Sequence, residues 1–299
     1  VLVGRVSVSY LSRNSKVFIF SNLNKIVYIY LSNSAFFISQ LNKRFFSHKL
    51  KHKQLFLIFE TFVQYWHIIM LFFAVAILYS SVGFGGGSSY LAILALSGIV
   101  FTQIRATALL CNIIVVLGNV LLFHHERKLN WKKIIPLVFL SIPFAYISGK
   151  IKISEEFFFI LLGLTLLFAA ITMWISKQII SSDKKNINPK PIKNASFGGV
   201  IGFISGMVGI GGGIFLAPLL HLTNWDTPKK IAATASVFIL VNSIAGLLGQ
   251  YSNPNFEIDW NLTSILLITV FIGGQIGSRM SNKFFTPIQL KKATAILIA

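Results

Sequence analysis

The sequence has little of what a soluble protein uses to cover its surface. Only 12% of its 299 residues are charged and only eight are acidic, whereas 55% are hydrophobic. Soluble domains carry about 25% charged residues, and several apolar segments here approach the roughly 20 residues needed to cross a hydrocarbon layer. The composition therefore excludes an ordinary soluble protein and predicts an all-α polytopic membrane protein.

Cysteine and acidic residues are scarce enough to exclude further kinds of site. The single cysteine, Cys111, rules out an internal disulfide and a cysteine-rich metal centre. None of the acidic residues lies inside an apolar segment, and intramembrane carboxylates are the usual sign of cation sites. We find no catalytic triad, no paired carboxylates and no phosphate-binding loop. The sequence therefore predicts neither an enzyme nor a protein that needs a cofactor or metal.

The basic residues lie beside the apolar segments rather than in a compact basic fold. The formal net charge is +19, but loops of this kind are expected to face anionic lipid headgroups. Membrane lipids are therefore the expected partners, and nucleic acid is not. Residues 1–66 contain no methionine and no steady hydrophobic period, so we expect a basic leader that is disordered or not native, and dispensable. The last apolar segment, from 289 onward, is expected to be an incomplete helix.

A glycine-rich stretch occurs twice. VGFGGGSSYLAIL at 82–94 matches VGIGGGIFLAPLL at 208–220, and later motifs also recur in order: RATAL with IAATAS, and LNW with IDW. The sequence therefore predicts two related membrane repeats, residues 67–175 and 195–299, joined by a polar linker at 176–194. Each repeat contains four apolar segments, which gives about eight transmembrane segments in total.

The leading segment of each repeat is too long for one straight span and carries the glycine run near its middle. This pattern is typical of a discontinuous helix that exposes backbone N–H groups to a substrate near the bilayer midplane. A broken backbone is tolerated in a membrane only where it is buried in protein or lines a cavity. The alternative is that the glycines only allow helices to pack closely. Their recurrence in both repeats favours the break.

Polar residues recur every seven positions in the second segment of each repeat. Seven-residue spacing places side chains on one helical face, and the two sets are Arg105, Asn112 and Asn119, then Ser236, Ser243 and Gln250 with Asn242 adjacent. Asn112 and Asn242 either hydrogen-bond neighbouring helices or face a wet path. Arg105 opens its segment, so we expect it at the membrane interface.

These duplicated motifs resemble the TauE/SafE family, the sulfite exporter-like permeases of bacterial cell membranes, over residues 67–299. The resemblance implies that Gly83–Ser89 and Gly209–Gly213 line a central site and that Thr107 and Thr234 start the second helix of each repeat beside it. With the two asparagines, the candidate substrate path comprises Gly83, Gly85, Gly86, Gly87, Ser88, Ser89, Thr107, Asn112, Gly209, Gly211, Gly212, Gly213, Thr234 and Asn242.

The predicted function is secondary transport of a small anion by alternating access at this midplane site. The resemblance implies sulfite, a sulfonate or a related sulfur-containing anion. A passive anion channel and a non-transporting assembly or sensor subunit are the alternatives. Four crossings per repeat would orient both repeats in the same sense, whereas a re-entrant hairpin at each glycine run would invert them. The sequence gives no oligomeric state.

Overall fold

The structure, a computed structural model, describes residues 60–178, 191–223, 225–254 and 256–284. These residues form helices and no strands. The first helix, α1, is Glu60–Val82. The others are α2 (Gly87–Leu96), α3 (Phe101–His125), α4 (Trp131–Lys150), α5 (Glu155–Gln178), α6 (Pro191–Val208), α7 (Gly213–Leu222), α8 (Pro228–Tyr251) and α9 (Trp260–Phe284). The predicted leader (apart from 60–66, the start of α1), most of the linker and the segment from 289 lie outside the described residues.

The described helices confirm an all-helical membrane protein. Five of them are long and apolar enough to cross a membrane: Glu60–Val82, Phe101–His125, Trp131–Lys150, Pro228–Tyr251 and Trp260–Met280. Large apolar side chains lie on the outside, as in Phe139, which is 71% exposed, while Asn112 and Asn242 are fully buried. Such an apolar exterior around buried polar groups suits a lipid environment, where backbone groups must be bonded internally.

Local signals explain where several helices begin. Pro228 occupies the first turn of α8, where its missing N–H has no intrahelical acceptor to lose. The Oδ1 atom of Asp259 accepts hydrogen bonds from the backbone N–H groups of Asn261 at 2.9 Å and Leu262 at 3.4 Å. This carboxylate caps the start of α9. Glu155 and Glu156 stand in the first turn of α5, where negative charge is favourable.

The helix is interrupted at both glycine runs, between α1 and α2 and again between α6 and α7. Gly83 and Gly86 have φ angles of 89° and 86°, and Gly209 and Gly212 have φ angles of 90° and 82°. Side chains disfavour this left-handed region, whereas glycine adopts it readily. Each break is therefore a short non-helical segment that begins and ends with a left-handed glycine.

After the first break, α2 folds back along α1. The ring of Tyr90 in α2 stacks on Phe72 in α1 with centroids 4.5 Å apart, and Ser89 Oγ donates to Tyr79 Oη at 2.8 Å. Phe72 lies about three helical turns before the end of α1, so only a hairpin brings these rings together. The second break also turns back, because a Cβ placed on Gly212 would lie 3.2 Å from Ile201 Cγ2 in α6.

Helix α4 packs against α6 through a row of glycines. Three glycines of α6 at four-residue spacing face the backbone of three residues of α4 at the same spacing: Gly198, Gly202 and Gly206 against Leu137, Ser141 and Ala145. A Cβ on Gly202 would lie 2.6 Å from Ser141 O. The two helices therefore run parallel at a separation that only glycine allows, as in other membrane helix pairs with small residues at the interface.

The bundle has two ends, which we name by one residue at each. At the Asp226 end, α4 begins and α8 begins. Lys133 Nζ there donates to Asp226 Oδ2 at 2.9 Å and lies 5.0 Å from the centroid of the Trp225 ring. At the Arg105 end, α3 begins and α8 ends, and Arg105 and Gln250 line one cavity.

Because α4 packs closely on α6, we expect a single added methyl group at their contact to lower the thermal stability of the protein. Gly202→Ala places a methyl group on the Ser141 backbone, so the two helices must move apart and the melting temperature in detergent should fall. Gly163→Ala in α5 is the control, because a Cβ there meets nothing within 4 Å. The measurement is thermal unfolding of both purified variants. Equal melting temperatures would contradict the close contact.

The ion pair at the Asp226 end predicts a pH-dependent stability. Partial burial raises the pKa of Asp226, but hydrogen bonds from Lys133 and the Thr227 N–H, with the nearby positive charges, hold that pKa below its ordinary value of 3.8. A lowered pKa in the folded state stabilises the protein above the ordinary value, and the stabilisation is lost as the pH falls through the folded-state pKa.

We therefore expect Asp226→Asn to lower the melting temperature at pH 7, with a difference from the parent that shrinks below about pH 4. Glu257→Gln, which changes an exposed carboxylate, is the control and should melt like the parent throughout. The measurement is a melting curve at each pH. A difference that stays constant down to pH 3 would contradict the ion pair.

Candidate functional site

The two glycine breaks meet in the centre of the bundle. A Cβ placed on Gly87 would lie 2.5 Å from Ile210 O, and one placed on Gly213 would lie 3.9 Å from the Phe84 ring. Each break therefore contacts the start of the helix that follows the other break. The backbone at Gly87 lies so close to the backbone at Ile210 that no side chain fits between them.

Helix α3 supplies a hydrogen bond to each break. Asn112 Nδ2 donates to Ile210 O at 2.8 Å, and Asn119 Nδ2 donates to Phe84 O at 3.4 Å. Ser80 Oγ in α1 donates to Asn119 Oδ1 at 2.9 Å. Carbonyl groups outside a helix need such donors when they are buried. Two asparagines seven residues apart on α3 thus reach one carbonyl group in each break.

Helix α8 contributes hydroxyl groups. Ser236 Oγ donates to Gly83 O at 2.5 Å, and a Cβ on Gly211 would lie 2.8 Å from Ser243 Oγ. Asn242 Nδ2 instead donates to Phe238 O in its own helix at 2.8 Å. The predicted stripe on α8 therefore touches both breaks, through its serines rather than through Asn242.

Helices α2 and α7 both begin at this meeting point without a side-chain cap. The residues that precede them, Gly86 and Gly212, are left-handed and have no side chain to offer. The first N–H groups of an α-helix have no intrahelical acceptor, and they carry partial positive charge from the helix dipole. Two helix N-termini of this kind form a favourable environment for an anion.

A central cavity of about 10 Å³ lies between the breaks. Its lining carries no charged side chain and comprises Tyr79, Phe84, Gly85, Gly86, Gly87, Ser88, Asn112, Ile210, Gly213, Ile214 and Ile239. A volume of 10–15 Å³ on this scale holds about one water molecule. The breaks must therefore separate before the cavity can admit an anion of several heavy atoms.

The predicted path residues fall into three groups. Six of them line the cavity: Gly85, Gly86, Gly87, Ser88, Asn112 and Gly213. Four others are left-handed glycines of the breaks outside this lining: Gly83, Gly209, Gly211 and Gly212, the last of which directly precedes α7. The remaining four, Ser89, Thr107, Thr234 and Asn242, lie outside the lining.

Thr107 and Thr234 lie in the second turn of their helices, not at the start as expected. Helix α3 begins at Phe101 and α8 begins at Pro228, earlier than the Ala-Thr motif suggests. The hydroxyl of Thr107 is 3.1 Å from Thr263 Oγ1, and that of Thr234 donates to Lys230 O at 2.9 Å. Both hydroxyls are thus engaged in helix packing and backbone contacts.

The structure buries Arg105, whereas its expected place at the membrane interface stays a prediction. Arg105 is only 6% exposed, and its Nη2 donates to Gly206 O in α6 at 3.3 Å. It lies one turn into α3. The sequence places an arginine at the edge of its apolar segment, but it could not show that α6 and the end of α8 cover that edge.

A larger cavity, of about 410 Å³, lies away from the breaks between α5, α6 and α7. Its lining is aliphatic and aromatic, with Thr165 as its one polar residue. An anion transferred there would lose its hydration without gaining donors. The small central cavity, not the large apolar one, is therefore the candidate functional site.

Helices that can cross a membrane, an apolar exterior and a buried polar interior define a multi-pass membrane protein. The chain belongs to the sulfite exporter TauE/SafE family, whose sequence profile matches residues 68–299. The predicted resemblance is thereby confirmed. No solved structure gives a significant match.

Relatives of the chain share its membrane segments over most of their length. A probable membrane transporter protein of Sinorhizobium fredii is 34% identical over 237 residues, which cover 77% of this chain and 94% of the relative. A probable membrane transporter protein of Methanocaldococcus jannaschii is 27% identical over 239 residues, which cover 72% of this chain and 86% of the relative. A third such protein, of Bacillus subtilis, is 27% identical over 249 residues, which cover 78% of this chain and 96% of the relative.

The bond from Asn112 to Ile210 predicts a measurable loss of stability when it is removed. Asn112→Ala leaves Ile210 O buried without this donor, and an unsatisfied buried group costs about 1–3 kcal/mol. We expect a clear fall in melting temperature. Asn261→Ala is the control, because Asn261 is exposed. Matching melting curves for the two variants would show that the asparagine does not hold the second break.

Proposed function

We propose that this protein is a secondary transporter of a small oxyanion, sulfite or a related sulfur-containing anion, that works by alternating access. The observation that carries the proposal is the convergence of two uncapped helix N-termini on one central cavity. This arrangement supplies backbone donors from two directions. Membership of a sulfite exporter family and the transporter names of the relatives support the same class of function.

The donors and acceptors of the cavity favour an anion over a cation. The lining contains no carboxylate, the group that most often binds cations within membranes. The carbonyl groups that the breaks expose, Phe84 O and Ile210 O, already accept bonds from Asn119 and Asn112. The N–H groups of Tyr90, Phe215 and Leu216 bond within their own helix starts, so the N–H groups that we assign to the substrate are those of Gly87 and Ser88 in α2 and of Gly213 and Ile214 in α7, together with the hydroxyl of Ser88.

The two breaks extend toward opposite ends of the bundle, which suggests how access alternates. Gly83 of the first break packs against Ala232, near the start of α8 and thus the Asp226 end, with its added Cβ 3.1 Å from Ala232 Cβ. Gly209 of the second break packs against Arg105, near the start of α3, at 3.4 Å from its Cα. Each break closes one side of the cavity, so movement of one break opens one end.

The hairpins at the breaks favour inverted repeats. Because α2 returns along α1, the pair does not complete a crossing, and α3, α4 and α5 are left as the crossing helices of the first repeat. An odd number of crossings places the second repeat in the membrane upside down relative to the first. The antiparallel arrangement of α3 and α8, with Arg105 near Gln250 at one end, agrees with this inversion.

With this topology, and with the basic leader left aside, the charges of the described residues favour one orientation. Basic residues cluster at the Asp226 end, in and beside the α3–α4 and α7–α8 loops, where Glu126 and Asp226 are the acidic residues: Arg127, Lys128, Lys132, Lys133, Lys229 and Lys230. The Arg105 end carries Arg105, Lys150 and Lys152, together with Glu155, Glu156, Glu257 and Asp259. Since basic loops stay in the cytoplasm, we infer that the Asp226 end is cytoplasmic.

Single cysteines test this orientation. In a Cys111→Ala background, Lys132→Cys at the start of α4 should react with a membrane-impermeant maleimide only in inside-out vesicles. Asn261→Cys at the start of α9, the corresponding position of the second repeat, should react only in right-side-out vesicles. Both positions are exposed. Labelling of both residues from the same side would contradict the inverted topology, and labelling with the two sides exchanged would contradict the orientation.

Counterflow in proteoliposomes tests the transport function. We expect purified protein to exchange labelled sulfite against internal sulfite, with no uptake of small cations. Gly87→Ala should abolish exchange, because its methyl group would occupy the position of the Asn112 amide and Ile210 O. Gly163→Ala should exchange at the parental rate, since nothing lies within 4 Å of its added Cβ.

Three results would contradict the proposal, and the first two of them favour a different function. High anion conductance without counterflow would indicate a channel. Uptake no greater than in empty liposomes for sulfite, sulfate, thiosulfate and a sulfonate would indicate an assembly or sensor subunit. Parental exchange by Gly87→Ala would remove the central cavity from the path.

A further inference from the structure

A second polar cavity lies at the Arg105 end, apart from the central one. Its volume is about 120 Å³, roughly ten times what one water molecule needs. Its polar lining consists of Thr102, Arg105, Lys152, Gln250 and Asn253, and no acidic residue lines it. The cavity is therefore lined by two cations and several neutral hydrogen-bonding groups.

Two of these side chains are buried with donors unused. Arg105 is 6% exposed, and Gln250 is 4% exposed. Arg105 Nη2 donates to Gly206 O, but Arg105 Nε and Gln250 Nε2 have no hydrogen-bond partner. Neither of the ion pairs found in the described residues involves Arg105. A buried guanidinium without a counter-charge is costly, so an anion in this cavity would satisfy both donors.

We propose that this cavity is a recruitment site that binds a small oxyanion before it reaches the central cavity. The inference rests on the proposed transport function. The planar guanidinium presents paired donors that match two oxygens of an oxyanion. Gln250 Nε2 and the ammonium of Lys152 provide further donors in the lining of the same cavity.

The position of Arg105 connects this site to the second break. The backbone of Arg105 packs against Gly209, and its guanidinium binds Gly206 O just before that break. The second break closes the central cavity on the Arg105 side. An anion held at Arg105 is thus next to the segment that has to move for it to enter.

The Asp226 end has no equivalent among the described residues. The residue that corresponds to Arg105 in the second repeat is Ala232, and the nearby Lys133 and Lys230 are paired with Asp226. The two ends should therefore differ in apparent affinity. We expect the KM for sulfite to be lower at the Arg105 end than at the Asp226 end.

Transport kinetics and anion-dependent melting test the site together. Arg105→Gln should raise the KM for sulfite at the Arg105 end about tenfold or more and weaken the ionic-strength dependence of that KM, because Lys152 is then the one cation left in the lining. Arg105→Lys should raise this KM by an intermediate factor, because lysine keeps the positive charge but lacks the paired N–H donors of the guanidinium. Gln250→Leu, which leaves the bond from Arg105 to Gly206 in place, should raise the KM by a smaller factor. Lys132→Gln removes one exposed charge at the opposite end and should leave this KM unchanged.

Melting in detergent gives a readout that does not depend on transport. Sodium sulfite should raise the melting temperature of the parent more than sodium chloride at equal ionic strength, and this difference should vanish in Arg105→Gln. If the parent does not transport but shows this stabilisation, the proposed function fails while the anion site stands.

Two outcomes would overturn the recruitment site. A change in Vmax and melting temperature in Arg105→Gln, with the KM unaltered, would show that Arg105 only supports the second break. Stabilisation of the parent by phosphatidylglycerol but not by sulfite, lost in Arg105→Gln, would assign the cavity to a lipid phosphate instead of a free anion.

Discussion

A helix break inside a membrane protein frees backbone groups that have no water to bond, and this constraint organises the structure. Each unsatisfied group in a lipid environment is costly, so a break persists only where other parts of the protein supply partners. Here α3 supplies them for both breaks, through Asn112 and Asn119, and Ser236 supplies a third. Three carbonyl groups of the breaks, at Gly83, Phe84 and Ile210, are satisfied in this way, and we propose that N–H groups at the starts of α2 and α7 bind the substrate.

The glycines of this protein serve three distinct physical purposes. Gly83, Gly86, Gly209 and Gly212 are needed for their left-handed backbone. Gly87 is needed for space, because Asn112 and Ile210 O occupy the volume of its missing side chain. The glycines of α6 allow a second helix to approach. At the two glycine runs the helix is broken, whereas close helix packing is the role of the α6 glycines, which the sequence analysis did not single out.

Much of the architecture could be predicted from the sequence because it depends on composition and local chemistry. Apolar segments fix the helices, and clustered glycines fix where a helix stops. The seven-residue spacing of Asn112 and Asn119 predicts one shared face, and the structure buries both residues on it. The family could likewise be recognised from motifs that recur in order in both halves.

Features that depend on contacts between distant segments could not be predicted. The direction of α2 after the first break is set by contacts such as Phe72 with Tyr90, which no local pattern encodes. The hairpin of α1 and α2 also changes which loops lie on the same side of the membrane. Without knowledge of this hairpin, the numbers of basic residues in the loops do not give an orientation. The burial of Arg105 depends on α6, whose carbonyl at Gly206 it binds. The row of glycines on α6 has its partner, the α4 backbone, in the other half of the chain.

The central claim is that the cavity between the breaks opens to each side of the membrane in turn. Its most direct test is the reactivity of Ser88→Cys in a Cys111→Ala background, because Ser88 lines the cavity and is 4% exposed. A charged, membrane-impermeant thiol reagent should label this cysteine from either side of the membrane, and saturating sulfite should protect it from both. Labelling from one side only, or labelling from both sides that sulfite does not slow, would contradict alternating access at this site.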